Sequence, residues 1–412
     1  MPRRSHIVLG LTVGSATSGL LAYVFFAIVT RSLGSSAAEP VSVLWTYWSF
    51  TAATITFSLQ HWIARASAAG GGEAVVRRAL PSVVMLVAGA SVVSGVLAWT
   101  GRSALFHRSD FAFPLLVGAV TLGSALIGLV RGSLSARRLF GSVAWALALE
   151  NATRCLAAAG LLLAQVRSSV WFGLSLAAGP LIGLRWASSL RFRRDGSTPE
   201  SADSPVRFLR NAAGGSLLGQ AVLTGGPVVL ALAGGEPAAV TGLFAGLALF
   251  RAPYTLAIGL LAPLTGHLTR LAVTGREDQL SRVRAAVVAG TMAATVLAAL
   301  VGGLAGPGLI RLIFGNGVRL GELPAMLVAI GSVVALANLL MNVSLMARDC
   351  SAAVTRMWLI GAGVGATVFL ATGQSATLRT CWAFVIAEVA AFVVALAHDA
   401  RMVGRLVPAP IS

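Results

Sequence analysis

The chain reads as an all-α polytopic membrane protein, with twelve transmembrane helices arranged as two parallel six-helix lobes. Three observations predict this: its composition, its number of long apolar stretches, and a faint repeat of its first half in its second. Of the 412 residues, 57% are apolar and only 11% are charged, and the mean hydropathy is +0.84. A soluble domain carries about a quarter charged residues. Apolar surface in this excess has to face lipid.

Stretches long enough to cross a bilayer, about 20 residues each, lie near 7–30, 42–64, 80–100, 114–135, 141–164 and 169–190. A second set lies near 208–233, 240–269, 284–305, 323–346, 353–372 and 377–397. The first follows Met1-Pro-Arg-Arg4 and looks briefly like a signal peptide. It is too long for that, and no small-residue cleavage site ends it, so it is expected to be an uncleaved first span. Six spans per set is an even number, so both halves enter the membrane in the same direction. The resulting lobes are residues 1–190 and 207–412. Between them, residues 191–206 (RFRRDGSTPESADSPV) have the Ser, Pro, Gly and mixed charge of a cytoplasmic linker.

The repeat is carried by four echoes in the same order. Leu59-Gln-His-Trp-Ile-Ala-Arg65 answers Leu264-Thr-Gly-His-Leu-Thr-Arg270. The polar loops that follow match at Gly70 and Gly275, Glu73 and Asp278, and Arg77 and Arg282. Leu105-Phe106 answers Ile313-Phe314, and Ser133-Leu-Ser-Ala-Arg137 answers Ser344-Leu-Met-Ala-Arg348. An internal repeat in a membrane chain points to a two-lobed transporter with its cargo site at the repeat interface.

Arginine placement agrees with the span count. All 31 basic residues are arginine, a composition that reads as genomic GC bias. With the N-terminus inside, 22 arginines fall in inner segments and seven in outer ones, as the positive-inside rule requires. Both termini are therefore expected in the cytoplasm, with the protein in the cell membrane. The net charge of +17 does not imply nucleic acid, because the apolar runs leave no continuous basic surface. Cys155, Cys350 and Cys381 are isolated thiols without metal-ligand spacing.

Charges inside the spans are the functional candidates. Each costs about 2.5–3.5 kcal/mol at mid-bilayer, so such residues face a cavity or a partner. Glu150 and Arg154 lie four apart in the fifth span, in the favourable order for a helical pair. They form either a neutralised structural pair or a cavity-lining one. Arg251, in the eighth span, has no acid within a helical turn, and Pro253 interrupts the helix beside it. Its planar fork suits phosphate, which makes it a substrate-contact candidate; pairing with Glu388 in the twelfth span is the alternative. Glu150 and Glu388 are candidates for ion coupling, since burial favours a protonated carboxyl. A polar stripe on the second span, Tyr47, Thr51, Thr54, Ser58, His61 and Arg65, shares one helical face, and Ser216, Gln220 and Thr224 form a shorter one on the seventh. Such stripes line cavities or join helices; cavity lining is expected for the longer one. No Lys means no P-loop ATPase. No HExxH, GxSxG, paired-Cys or paired-carboxylate arrangement appears, so no enzyme, metal or cofactor is expected.

Twelve spans as six plus six, Arg131-Gly-Ser-Leu-Ser-Ala-Arg137-Arg-Leu-Phe140 closing the fourth span, Arg31-Ser-Leu-Gly34 and Ile313-Phe314-Gly315-Asn316 resemble polysaccharide (O-antigen type) flippases. These belong to the multidrug/oligosaccharidyl-lipid/polysaccharide (MOP) exporter superfamily. The resemblance implies a MATE-like fold and alternating access that carries an undecaprenyl-pyrophosphate-linked oligosaccharide outward. It also implies membrane lipids, polysaccharide polymerase and glycosyltransferases as partners. Arg251 matches a span from which related lipid II flippases engage pyrophosphate, while the internal first-span arginines of those flippases are missing here. On this reading the substrate-binding residues are Arg251, Arg154, Tyr47, Thr51, Thr54, Ser58, Gln220 and Thr224. The alternatives are a multidrug or cation antiporter of the same superfamily, and a non-transporting scaffold of a glycan-synthesis complex.

Overall fold

The computed structural model describes residues 2–68, 72–192, 217–258, 264, 268, 270–271, 274–348 and 350–405. Every regular element among them is a helix. Nine of these helices are long and apolar enough to cross a membrane: Ala16–Leu33, Glu73–Thr100, Ala112–Ala136, Phe140–Leu163, Ser169–Leu190, Asp278–Phe314, Glu322–Ala347, Ala352–Ala371 and Ala376–Arg401. The chain is an all-α polytopic membrane protein. Those nine fall on nine of the twelve predicted spans.

The other three predicted spans contain interrupted helices, and the interruptions have causes in the sequence. The second runs Ser35–Thr51, a π-helical turn Ala52–Thr56, then Phe57–Ala68. In the seventh, helical residues 217–224 stop at Gly225, and Gly226–Leu232 restarts. A Cβ at Gly225 would lie 2.4 Å from the Ala221 carbonyl oxygen, and Pro227 lacks an N–H to continue the ladder. In the eighth, Pro237–Phe250 and Ala252–Ile258 meet at Arg251, one residue before the Ala252-Pro253 pair. The predicted ninth span (284–305) proves too short, because Asp278–Phe314 is 37 residues long. Gly302, Gly303 and Gly306-Pro307 suggest a stop. Instead Gly302 and Gly303 lie in a π-turn, Val301–Ala305, Gly306-Pro307 begin the helix Gly306–Phe314, and a Cβ at Gly302 would lie 2.7 Å from that of Ala329. Of the predicted linker, only Arg191 and Phe192 lie within the described residues.

The chain divides into two compact units: Met1–Leu217 with Pro227–Gly242 and Ile313–Val318, and Leu218–Gly226 with Leu243–Leu312 and Arg319–Ser412. In the first, Gly128 and Gly132 bring the Ala112–Ala136 helix close to the second predicted span. A Cβ at either would come within 2.9 Å of Thr56 or Ile63. In the second, Gly361 and Gly365 sit one turn apart against Ala383, Ala387 and Ala391, with carbonyl oxygens 2.7 and 2.8 Å from where their Cβ atoms would be. Close backbone approach through small residues is how membrane helices gain packing energy when apolar burial supplies none.

Several echoed residues occupy matching settings. Leu59 and Ile63 pack with Ala125 and Leu129, and Leu264 and Leu268 pack with Val343. Phe106 and Phe314 are both buried at helix ends. Each is followed by a left-handed residue, His107 (φ 49°) and Gly315 (φ 101°).

Candidate functional site

Two groups of buried polar side chains stand out, one in each unit. The first is built on the Phe140–Leu163 helix, where Glu150, Asn151 and Arg154 share a face and are at most 5% exposed. Glu150 Oε1 accepts from Arg154 Nη2 at 2.6 Å, and Oε2 accepts from Arg131 Nη2. Arg154 Nη1 donates to Asn151 Oδ1 at 2.8 Å, and its Nε to the Leu176 carbonyl at 3.0 Å. The guanidinium also lies 4.1 Å from the Trp48 ring centroid, a favourable stacking partner. Asn151 Nδ2 in turn donates to Ser18 Oγ at 2.7 Å. One carboxylate, two guanidiniums and one amide therefore join five helices. There is no slack around them: a Cβ at Gly179 would fall 2.3 Å from Arg154 Nε.

Arg131 was missed by the sequence reading, which counted it among inner-segment arginines. It is a buried residue of the Ala112–Ala136 helix, 6% exposed. Its partner Glu150 lies on another helix, 19 residues away, so no local spacing reveals the pair.

The polar stripe of the second span meets the same Ala112–Ala136 helix. Tyr47 Oη and Thr121 Oγ1 are 2.6 Å apart, and Thr51 Oγ1 and Ser124 Oγ 2.8 Å. Thr56 donates to the Ser124 carbonyl at 2.7 Å. Thr54 bonds back to its own helix at Phe50, Ser58 is buried, and His61 is exposed. The Arg65 side chain and Ser216 lie outside the described residues. Thr224 donates to the Gln220 carbonyl of its own helix at 2.8 Å.

The second group surrounds Glu388, which is fully buried. Asn338 Nδ2 donates to Glu388 Oε2 at 2.7 Å and to the Glu388 carbonyl at 2.9 Å. Glu388 Oε1 accepts no hydrogen bond among the described residues. Arg251 and Tyr254 are close enough to Glu388 to interact electrostatically, so two of the predicted site residues, Arg251 and Glu388, do come together. The Arg251 guanidinium lies 5.6 Å from the Phe384 ring centroid. Arg251, Gly226, Leu247, Thr380, Cys381 and Phe384 line a cavity of about 10 Å³, room for one water. Asn338 was also missed, although an amide deep in an otherwise apolar span carries the same kind of signal as Glu388.

A third cluster holds the ends of three helices in the second unit. Asp399, 2% exposed, accepts from Arg284 Nη1 at 3.0 Å and lies 3.2 Å from Arg348 Nη1. No group of three or more metal-ligating side chains occurs among the described residues.

Solved structures share this fold over nearly the whole chain. The inward-facing conformation of a multidrug-resistance MATE transporter of the MOP superfamily superposes with a TM-score of 0.67 at 13% identity, covering 95% of this chain and 96% of that one. The lipid II flippase MurJ in an inward closed conformation gives 0.65 at 12% identity, covering 94% and 87%. A MOP superfamily transporter from Pyrococcus furiosus gives 0.61 at 12% identity, covering 97% and 95%. No protein-family profile and no curated protein matches the sequence. The chain has the fold of MOP-superfamily transporters.

Proposed function

We propose that this chain is a MOP-type membrane transporter working by alternating access, through twelve spans in two parallel lobes, 1–190 and 207–412, with both termini cytoplasmic. The observation that carries the reading is the shared fold over 95% of the chain. The excess of arginines in the expected inner segments, with the buried Arg131 set aside, supports the orientation. Interrupted helices with a charge at the break, as at Arg251, are where transporters of known mechanism bind cargo and ions.

Two classes of cargo fit. The structural likenesses back export of drugs or organic cations more than the alternative, since MATE transporters superpose well. Glu388, buried with one carboxyl oxygen open to a proton or cation, is the group that would couple such export. Arg251 speaks for an anionic cargo, a lipid-linked oligosaccharide with its pyrophosphate on the guanidinium. For the Pyrococcus furiosus transporter, reversed polarity of the binding pocket suggests a different function, so the sign of charge at the cavity is the feature to test. Proteoliposome assays separate the two cargoes. Movement of a lipid-linked pyrophosphate oligosaccharide assigns the flippase, and gradient-driven efflux of a cationic dye assigns the exporter. A folded protein that moves neither contradicts the transporter reading.

A further inference from the structure

A buried acid on the second predicted helix is used by neither cluster. Glu39 sits in the Ser35–Thr51 helix, ahead of the predicted start of the second span, at the end of the lobe that the arginine distribution assigns to the outside. It is 0% exposed, and residues Ala38 to Thr46 of this helix are all buried. Neither carboxyl oxygen accepts a hydrogen bond among the described residues. The helix N-terminus just before it favours an anion, yet none of its N–H groups reaches the carboxyl, and the next residue, Pro40, has none to give.

The charges on the helices packed against this one are engaged elsewhere, with one exception, and Glu236, Arg311 and Arg319 by the second-half pieces are exposed. Arg31, at the end of the Pro2–Leu33 helix, donates to the Ile313 carbonyl at 3.2 Å. Arg108 is paired with Asp110 and reaches Ser169, and that contact holds the Asp110 carboxyl below its ordinary range. Arg102 stacks on Trp99 at 3.6 Å. Arg131, on the Ala112–Ala136 helix, is paired with Glu150. The Ser169–Ala178 helix carries no charge. The exception is His107, whose Nδ1 lies 3.6 Å from Glu39 Oε1, too far for a hydrogen bond.

We propose that Glu39 is a proton-binding site: its carboxyl holds a proton while the packing around it is closed and gives it up when that packing opens. A buried carboxylate without a donor is far costlier than the neutral acid, whereas an exposed one is not. The Ser35–Thr51 helix packs mainly on the Ala112–Ala136, Ser169–Ala178 and Arg102–Phe106 helices, and pieces of the second half touch only its start. Thr241 donates to the Ser35 carbonyl at 2.7 Å. Arg31 reaches Ile313, and a Cβ on Gly317 would lie 4.0 Å from the Ser35 nitrogen. His107, in its left-handed turn, is the group that can meet the carboxylate once it forms. The proposal does not depend on what the chain carries.

Burial pushes the Glu39 carboxyl up to about 8 from an ordinary 4.5. Between those values the folded protein holds a proton that the unfolded chain releases, so this contribution to stability is lost as pH rises through the window. The test uses the full chain in detergent with Cys155, Cys350 and Cys381 replaced by Ala. A thiol is placed at buried Ala38 (Ala38→Cys) or, as the reference for thiol ionisation, at exposed Ser36 (Ser36→Cys). The ratio of their maleimide labelling rates should rise several-fold between about pH 6 and about pH 9. In Glu39→Gln it should stay flat at the low-pH level. Thermal midpoints give a second readout: they should fall over the same range with Glu39 and not with Glu39→Gln. A ratio that is flat with Glu39 present, or that rises equally in Glu39→Gln, overturns the proposal. So does a midpoint profile that the substitution leaves unchanged.

Discussion

The two acids Glu150 and Glu388 are both buried, in different units, and their surroundings differ in kind. Glu150 has both carboxyl oxygens taken by guanidiniums, and Arg154 spends three donor atoms on fixed protein acceptors. Glu388 has one oxygen bound by a neutral amide and the other open, beside an arginine at a helix break and a cavity. A carboxylate with both oxygens held by guanidiniums is suited to holding helices together. One left partly engaged beside an interrupted helix is suited to exchanging partners. Burial marks both groups as costly, and the partners of the carboxyl oxygens tell them apart.

The largest effect expected from this contrast is at Glu150. Glu150→Ala leaves two buried guanidiniums without their carboxylate, and should cost about 3–5 kcal/mol. Thermal unfolding in detergent or loss of the monodisperse size-exclusion peak would register it; a stable variant would show that the network is not structural. Next comes helix packing in the second unit. Gly365→Leu forces a side chain into the Ala383 carbonyl, and should cost about 1–3 kcal/mol by the same measurement. Glu388→Gln should change stability by no more than about 1 kcal/mol, because the amide oxygen can still accept from Asn338. Transport driven by a proton gradient should nevertheless fall steeply, and an unaltered pH dependence of transport would remove Glu388 from coupling. The smallest effect belongs to Tyr47→Phe. Losing its bond to Thr121 should cost about 0.6 kcal/mol and leave transport rates unchanged, since this hydroxyl joins two helices. A marked loss of transport in a stable Tyr47→Phe protein would return the stripe to the cavity wall.

Much of the helix layout was legible because lipid imposes a length, and nine long apolar runs met it. The interruptions were legible in part. Pro253 marks the break beside Arg251, while the break at Gly225 falls inside the single span expected at 208–233. The helix around Gly302 runs past the expected end of the ninth span, and Gly302 serves close packing there. Charge partners were the least legible. Helical spacing shows Glu150 beside Arg154, but Arg131 and Asn338 approach their acids from other helices, 19 and 50 residues away in sequence. Periodicity places a side chain on a face; it does not say what that face meets. The second-span stripe shows this well, since Tyr47 and Thr51 were expected along a cavity and have hydroxyl partners on the Ala112–Ala136 helix.

Arg251 offers the most direct test of the claim that the second unit's partly engaged charges handle cargo. Wild-type, Arg251→Lys and Arg251→Ala proteins would be compared in proteoliposomes with whichever cargo the wild type moves, after their size-exclusion profiles have been matched. A charge-assisted contact is worth roughly 1.5–3 kcal/mol, and lysine keeps the charge without the bidentate fork. Transport should therefore fall about tenfold or more in Arg251→Ala and only partly in Arg251→Lys. Full transport by a well-folded Arg251→Ala protein would contradict the account and leave this arginine a structural residue like Arg154.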